Sequence, residues 1–230
     1  MKTGIPKDLV ATFSIVAADP AAKELGIAVQ SKFIAVGAVV PWAKAGVGAV
    51  ATQSWANTSF GPRGMELLEK GRSPDEALEE LLSGDEMKNL RQVGMVDAAG
   101  NAASFTGEEC FSWAGGVTGR NYACQGNILV NKETVTKMAE VFERSGGDLA
   151  SRMLAALDAG QEAGGDSRGK QSAALLVVKP EGGYGGFNDR YIDLRVDDHP
   201  EPIKELIRLH SLYMLYFSKT KPENILKIEG

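Results

Sequence analysis

The strongest constraint on the fold lies in the first third of the chain. Four short apolar runs, "TFSIVA", "LGIAVQS", "IAVGAVVPW" and "GVGAVATQSW", follow one another with only the turn-forming "DPAAKE" and "AKAG" for punctuation. Runs of this kind, bounded by Pro, Gly and Asp, read as strands, and connections this short join antiparallel neighbours. Such a meander needs helical cover, which the remaining sequence supplies. "SPDEALEELL" has Ser73 as N-cap, Pro74 at the first helical position and Glu76 three residues after the cap. That is a capping box, with Ala77, Leu78, Leu81 and Leu82 as its apolar stripe. "RQVGMVDAAGNAASFTG" reads as a hairpin turning at "DAAGN", and "NYACQGNILV" as a strand ending at Asn131.

Two more helices follow: "KETVTKMAEVFERS", with Val135, Met138, Ala139 and Phe142 on one side, and "DLASRMLAALDAG", capped by Asp148. Beyond "GGDSRGK" come the strand "QSAALLVVK", the loop "PEGGYGGFND" and the alternating strand "RYIDLRV". A terminal helix from about Pro200 aligns Ile203, Leu206, Ile207, His210, Tyr213, Met214 and Phe217 on one face. Strands, then helices, without regular βαβ alternation predict an α+β fold with antiparallel sheets rather than a Rossmann-like one. No repeat or Pro/Ser-rich linker divides the chain, so one domain is expected.

Composition narrows the partners. At 230 residues and 43% hydrophobic content the chain can build an ordinary core, and its net charge of -5 argues against phosphate neutralisation and hence against nucleic-acid binding. No window reaches a membrane-spanning apolar length, and "MKTGIPKDLVA" has no signal-like core, which predicts no membrane association and a cytoplasmic address. Cys110 and Cys124 are too far apart for a CxxC pair and read as small buried hydrophobes. Without a ligand cluster or a dinucleotide fingerprint, neither metal nor organic cofactor is expected.

Several motifs fail on context. "GDSRG" (165–169) fits G-x-S-x-G, with Asp189 and His199 after it, but a nucleophile elbow needs a strand before the serine and a helix after it. Here the order is reversed, so the stretch reads as a glycine turn. "GGYGGF" and "AGVGAV" open no helix and read as tight turns. His210 lies on an apolar face, where a core role outweighs a catalytic one, and His199 sits at the start of a helix. What is left is a scatter of polar residues at strand ends: Thr12 and Ser14, Lys44, Gln53 and Asn57, Gln125 and Asn127, Asp166 and Ser167. Each taken alone suits a strand or a turn.

Taken together, "TFSIVAADP", "GIAVQSKFIAVGAVVPWAKAGVGAVATQ", "GPRGMELLEKG", "YACQGNIL" and "GGDSRGKQSAALLVV" resemble DUF1028, a bacterial and archaeal family of unknown function, from Thr12 to the terminal helix. The resemblance implies an Ntn-hydrolase-like fold, a four-layer αββα sandwich of two stacked antiparallel sheets flanked by helices, as in proteasome subunits. In that superfamily the nucleophile is a residue-one Thr, Ser or Cys whose own α-amine is the base. An α-amine titrates near neutrality, whereas a peptide nitrogen cannot accept the proton. The resemblance puts the nucleophile at Thr12, a tuning lysine at Lys44 and an acid at Asp166. Gly126 and Asn127 are the oxyanion candidates, with Gln53 as a substrate-binding one.

Eleven residues precede Thr12, so the expected organisation is an N-terminal extension, 1–11, and a domain over 12–230. With its nitrogen in a peptide bond Thr12 lacks its base, and Ser14, Ser31 and Cys124 are the other nucleophiles to weigh. Two functions therefore stand side by side. One is a hydrolase of a small amide or peptide, active once Thr12 is freed. The other is a non-catalytic module binding a small amide, peptide or cell-wall fragment in the same groove. A homo-oligomer is a third expectation, with Leu209, Leu212 and Tyr216 of the terminal helix as its contact surface.

Overall fold

The computed structural model of the chain describes residues 9–217. Strands β1 (Thr12–Asp19) and β2 (Glu24–Ser31) form a hairpin in register from Thr12↔Ser31 to Asp19↔Glu24. The Asp19 carboxylate closes the turn by accepting the N–H groups of Ala21 and Ala22, each at 3.1 Å. The hairpin sits inside a six-stranded antiparallel sheet that also holds β7 (Gly115–Gly119), β8 (Tyr122–Gly126), β9 (Ser172–Val178) and β10 (Arg190–Val196), in the order β10-β9-β2-β1-β8-β7. The second sheet has the order β3-β4-β5-β6, from β3 (Pro41–Lys44), β4 (Gly48–Ser54), β5 (Arg91–Asp97) and β6 (Ala102–Thr106), also antiparallel. Five helices complete the described residues: α1 (Phe60–Glu69), α2 (Pro74–Ser83), α3 (Glu133–Arg144), α4 (Leu149–Glu162) and α5 (Pro202–Phe217).

Alternation along the strands separates the cores. Phe13, Ile15 and Ala17 of β1 pack with Met138 and Phe142 of α3 and Met153 and Leu157 of α4. The intervening Val16 and Ala18 join Ile27 and Val29 of β2 and Ala49, Ala51 and Val96 of the other sheet. Val50, Val93 and Met95 meet α1 and α2 in a third cluster. A fully buried side chain of the size of Phe13 or Ile15 is worth about 1.5–3 kcal/mol relative to exposure, and a one-residue slip of β1 would exchange its two buried faces, so its register is strongly specified. The capping box at α2 forms as expected: Ser73 Oγ accepts the Glu76 N–H at 3.3 Å and Glu76 Oε2 accepts the Ser73 N–H at 2.9 Å.

Several expectations change. "IAVGAVVPW" is not a strand: Ala35 takes a left-handed φ of 53°, a 3-10 turn covers Val36–Ala38, and only Pro41–Lys44 extends. The strand read to Asn131 ends at Gly126, because Ile128 has a φ of 54° and turns the chain. Helix α1 and strand β7 arise in stretches to which the sequence pattern assigns no element. Leu212 and Tyr216 are exposed on α5 as expected, whereas Leu209 packs against the helix-side core. Among the described residues no helix is long and apolar enough to cross a membrane.

Candidate functional site

Thr12 is the first residue of β1, fully buried, and its hydroxyl donates to the Gln30 carbonyl at 2.8 Å. The three described residues before it are part of the packed structure. Leu9, Val10 and Ala11 are buried; Leu9 and Ala11 pack on Ile128, Trp55 and Phe111, and Val10 pairs with Ser54 through hydrogen bonds of 3.2 and 2.9 Å. Thr12 is thus in a peptide bond deep in the fold.

The carbonyl of that bond is held by two donors. Ala11 O accepts the Ser31 hydroxyl and, at 3.0 Å, Nη2 of Arg168; Nη1 of the same guanidinium reaches Leu9 O at 3.4 Å. Asp166 fixes Arg168, accepting its Nε at 3.1 Å and its Nη2 at 2.8 Å. The carboxylate also accepts the N–H groups of Arg168 at 2.9 Å and Lys32 at 3.1 Å. Buried carboxylate oxygens need hydrogen-bond partners, and a forked guanidinium can grip carboxylate and carbonyl together. The "GDSRG" loop achieves the geometry because Gly165 (φ 64°) and Gly169 (φ 112°) turn the chain on either side of the pair.

On the inter-sheet side of Thr12 lies a buried amide chain. Ser14 Oγ donates to Gln53 Oε1 at 2.6 Å, Gln53 Nε2 to Gln92 Oε1 at 2.8 Å, and Gln92 Nε2 to Gly126 O at 2.7 Å. Gln125 Nε2 donates to Ser14 Oγ at 2.7 Å, and Asn127 Nδ2 to Gln92 Oε1 at 2.8 Å. Backbone carbonyls set the directions in this chain, the Gly126 carbonyl at the shortest distance. Gly126 O can only accept, so Gln92 must present its nitrogen there and its oxygen to Gln53 and Asn127; Gln53 then presents oxygen to Ser14, which must donate. The order leaves Oε1 of Gln125 and Oδ1 of Asn127 buried without a partner.

Asp166, Asn127 and Gln53 therefore come together with Thr12, though not all in open positions. Asn127 spends its backbone N–H on Thr12 O at 3.0 Å and its amide on Gln92, and Gly126 contributes its carbonyl to the chain while pairing with Phe13 and Gly115. Lys44 sits at the end of β3, exposed, with its ammonium paired to Glu69 of α1. Ser14 is engaged on both sides. Burial, reinforced by the Glu143 charge, pushes the Cys124 thiol well up, which deprives it of thiolate character. His199 Nδ1 accepts the Glu201 N–H at 3.0 Å. Burial lowers the His210 imidazole against the opposing pull of Asp148, as befits a core histidine. Among the described residues no group of His, Cys, Asp and Glu could hold a metal.

Arg168 and Gln92 were not singled out from sequence. Gln92 was detectable in principle: it occupies the parity of Gly94 and Val96, which faces the other sheet, where an apolar residue belongs.

A model of a family of unknown function (DUF1028) matches residues 12–206, so the match starts at the residue that opens β1. The chain belongs to the DUF1028 family. A DUF1028 protein from Silicibacter pomeroyi, known from its crystal structure, is 33% identical over 89% of both chains with a TM-score of 0.80. The ancestral β-subunit Anbu of Yersinia bercovieri aligns over 91% of this chain and 98% of its own at 12% identity and a TM-score of 0.37, a likeness too weak to argue from. No curated protein matches.

Proposed function

We propose that this DUF1028 chain is an Ntn-type hydrolase of a small amide or peptide, held as a precursor by residues 1–11. In this reading the two sheets and five helices form the four-layer αββα sandwich of that superfamily. The observation that carries it is the doubly held carbonyl of Ala11, immediately before Thr12. Opening the Ala11–Thr12 bond needs the Thr12 hydroxyl oxygen to add to the Ala11 carbonyl carbon. Negative charge then grows on Ala11 O, where Ser31 and Arg168 already donate. Collapse expels the Thr12 nitrogen, which takes up the hydroxyl proton, and leaves an ester; water cleaves the ester and releases residues 1–11 as a carboxylic acid. The exposed α-amine titrates at about 7.7–8.0 and can then take the hydroxyl proton when an external amide is attacked. Asp166 positions Arg168 throughout. Lys44 would have to leave Glu69 to tune Thr12.

The test is intact mass and N-terminal sequencing of the full chain before and after long incubation at neutral pH. A product beginning at Thr12, absent in Thr12→Ala, is the expected result. Persistence of the full-length mass would overturn it and favour the second reading, a binding module for a small amide, peptide or cell-wall fragment, which the burial of Leu9, Val10 and Ala11 supports.

A further inference from the structure

The inter-sheet space changes character from one side to the other. Toward β2 and β4 it is filled by Val16, Ile27, Val29 and Ala51; beside Thr12 it holds the amide chain; and between β6 and β7, the terminal strands of their sheets, it opens into a cavity of about 520 Å³. Ser104 and Thr106 of β6, Gly116 and Thr118 of β7, and Glu108 and Ser112 of the connecting loop line it. Gly116 lets β7 approach its neighbours closely at this edge: a Cβ there would stand 2.8 Å from Ser104 Oγ and 3.0 Å from Cys124 O. A volume of this size suits a ligand of one or two residues.

Its chemistry selects the ligand. Glu108 is the one charged residue among the lining residues, and Lys88 lies outside them, in the adjoining hollow that Glu108 and Thr106 also line. Ser104 Oγ is buried without a partner, and Thr106 Oγ1 already accepts from Gln92 Nε2 at 2.9 Å, so its proton is available to donate. An anion in the cavity would meet the Glu108 charge with no cation among the lining residues to offset it. A protonated amine would find a carboxylate and hydroxyl acceptors, and a neighbouring carbonyl would find the Thr106 hydroxyl.

We propose that the β6–β7 cavity binds the primary ammonium and adjoining carbonyl of an amino-acid amide or of the first residue of a peptide. The site is separate from Thr12 and is independent of whether Thr12 becomes a nucleophile.

The experiment titrates L-alanyl-L-alaninamide into the full-length protein, followed by amide chemical shifts, with the N-acetylated analogue, the Glu108→Gln variant and a Glu162→Gln control. Saturable shifts at Thr106, Gly107, Gly116 and Thr118 at millimolar ligand are expected. Binding should weaken by about five-fold or more on N-acetylation and in Glu108→Gln, consistent with loss of one partly solvated charge pair, and stay unchanged in Glu162→Gln. Thr118→Ile, which adds bulk at an exposed edge position favourable to β-branched residues, should weaken it also. Absence of saturable shifts at these amides, or equal binding of the acetylated peptide or by Glu108→Gln, would overturn the proposal.

Discussion

At the scale of single residues, the interior of this protein is unusual for what it tolerates between its sheets. Gln53, Gln92 and Gln125 are fully buried where an interior position ordinarily holds Val or Leu, and each needs partners of fixed direction. Room for them is made by a missing side chain. Gly94 of β5 lies against the Gln125 amide, and a Cβ there would come within 2.1 Å of Oε1 and 2.4 Å of Cδ. Gly94→Ala must therefore displace Gln125 from Ser14, and we expect a loss of about 1–3 kcal/mol in urea denaturation. Because the damage runs through one neighbour, Gly94→Ala combined with Gln125→Ala should cost clearly less than the two single changes added together; additivity would show that the clash is relieved elsewhere. The sequence exposed Gln53, Gln125 and Asn127 as polar residues at strand ends, but not their mutual hydrogen bonds. Those depend on the stacking of β4 and β5 over β1 and β8, a relation that no local pattern encodes.

At the scale of elements, strong periodicity was readable and close backbone approach was not. Helices α2, α3, α4 and α5 appear where their apolar stripes and caps put them. Helix α1 is not marked by the sequence, because "FGPRGMELLE" carries two glycines and a proline in its first turns, which mask the helical pattern. In the fold Pro62 occupies the first turn, where its missing N–H does no harm, and Gly61 lies flat against Trp42, whose indole would be 2.2 Å from a Cβ. Strand β7, "GGVTG", has almost no side chain to pattern and owes its form to pairing with β8. The link between α2 and β5 has its own electrostatics. Asp85 accepts Arg91 Nε at 2.8 Å, Asn57 Nδ2 at 3.2 Å and the Met87 N–H at 2.9 Å, and these bonds, the Arg91 side chain first, hold its carboxyl below the ordinary range against the opposing effect of burial. A depressed carboxyl stabilises the fold above its unfolded value of about 3.9, and this contribution is lost as pH falls through the lower folded value. Urea denaturation of the wild type at pH 6 and pH 3 should therefore show a steeper loss than the same comparison for Asp85→Asn, which has no proton to gain. Equal losses would mean that the pair does not titrate with folding.

At the scale of the whole molecule, the decisive feature is how the start of the described chain is sewn into the fold. The sequence marks Thr12 as a strand start, and the family resemblance, which begins at Thr12, leaves residues 1–11 as an extension. In the structure Leu9, Val10 and Ala11 are bound to three separate places: the Ser54 backbone of β4, the Ile128 turn after β8 and the Arg168 guanidinium before β9. Arg168 was hidden inside a turn-like "DSRG" for the same reason that the extension was, since its partners are 157 and 159 positions away. Of the three attachments the arginine is the one that can be removed without touching the core. Arg168→Gln leaves Asp166 with the backbone donors of Lys32 and residue 168 but withdraws both bonds to Leu9 and Ala11. Local opening of the segment should then separate from global unfolding. In hydrogen exchange the amides of Val10 and Ser54, which bond each other's carbonyls, should exchange about ten-fold faster or more in the variant, the equivalent of roughly 1.4 kcal/mol of local stability. Amides at the centre of the β1–β2 hairpin, such as Val16 and Ile27, should keep their wild-type rates, because their pairing and core contacts do not involve Arg168. Uniform acceleration across both groups would mean that residues 9–11 open only with the entire fold, and that Arg168 secures the molecule rather than its first strand.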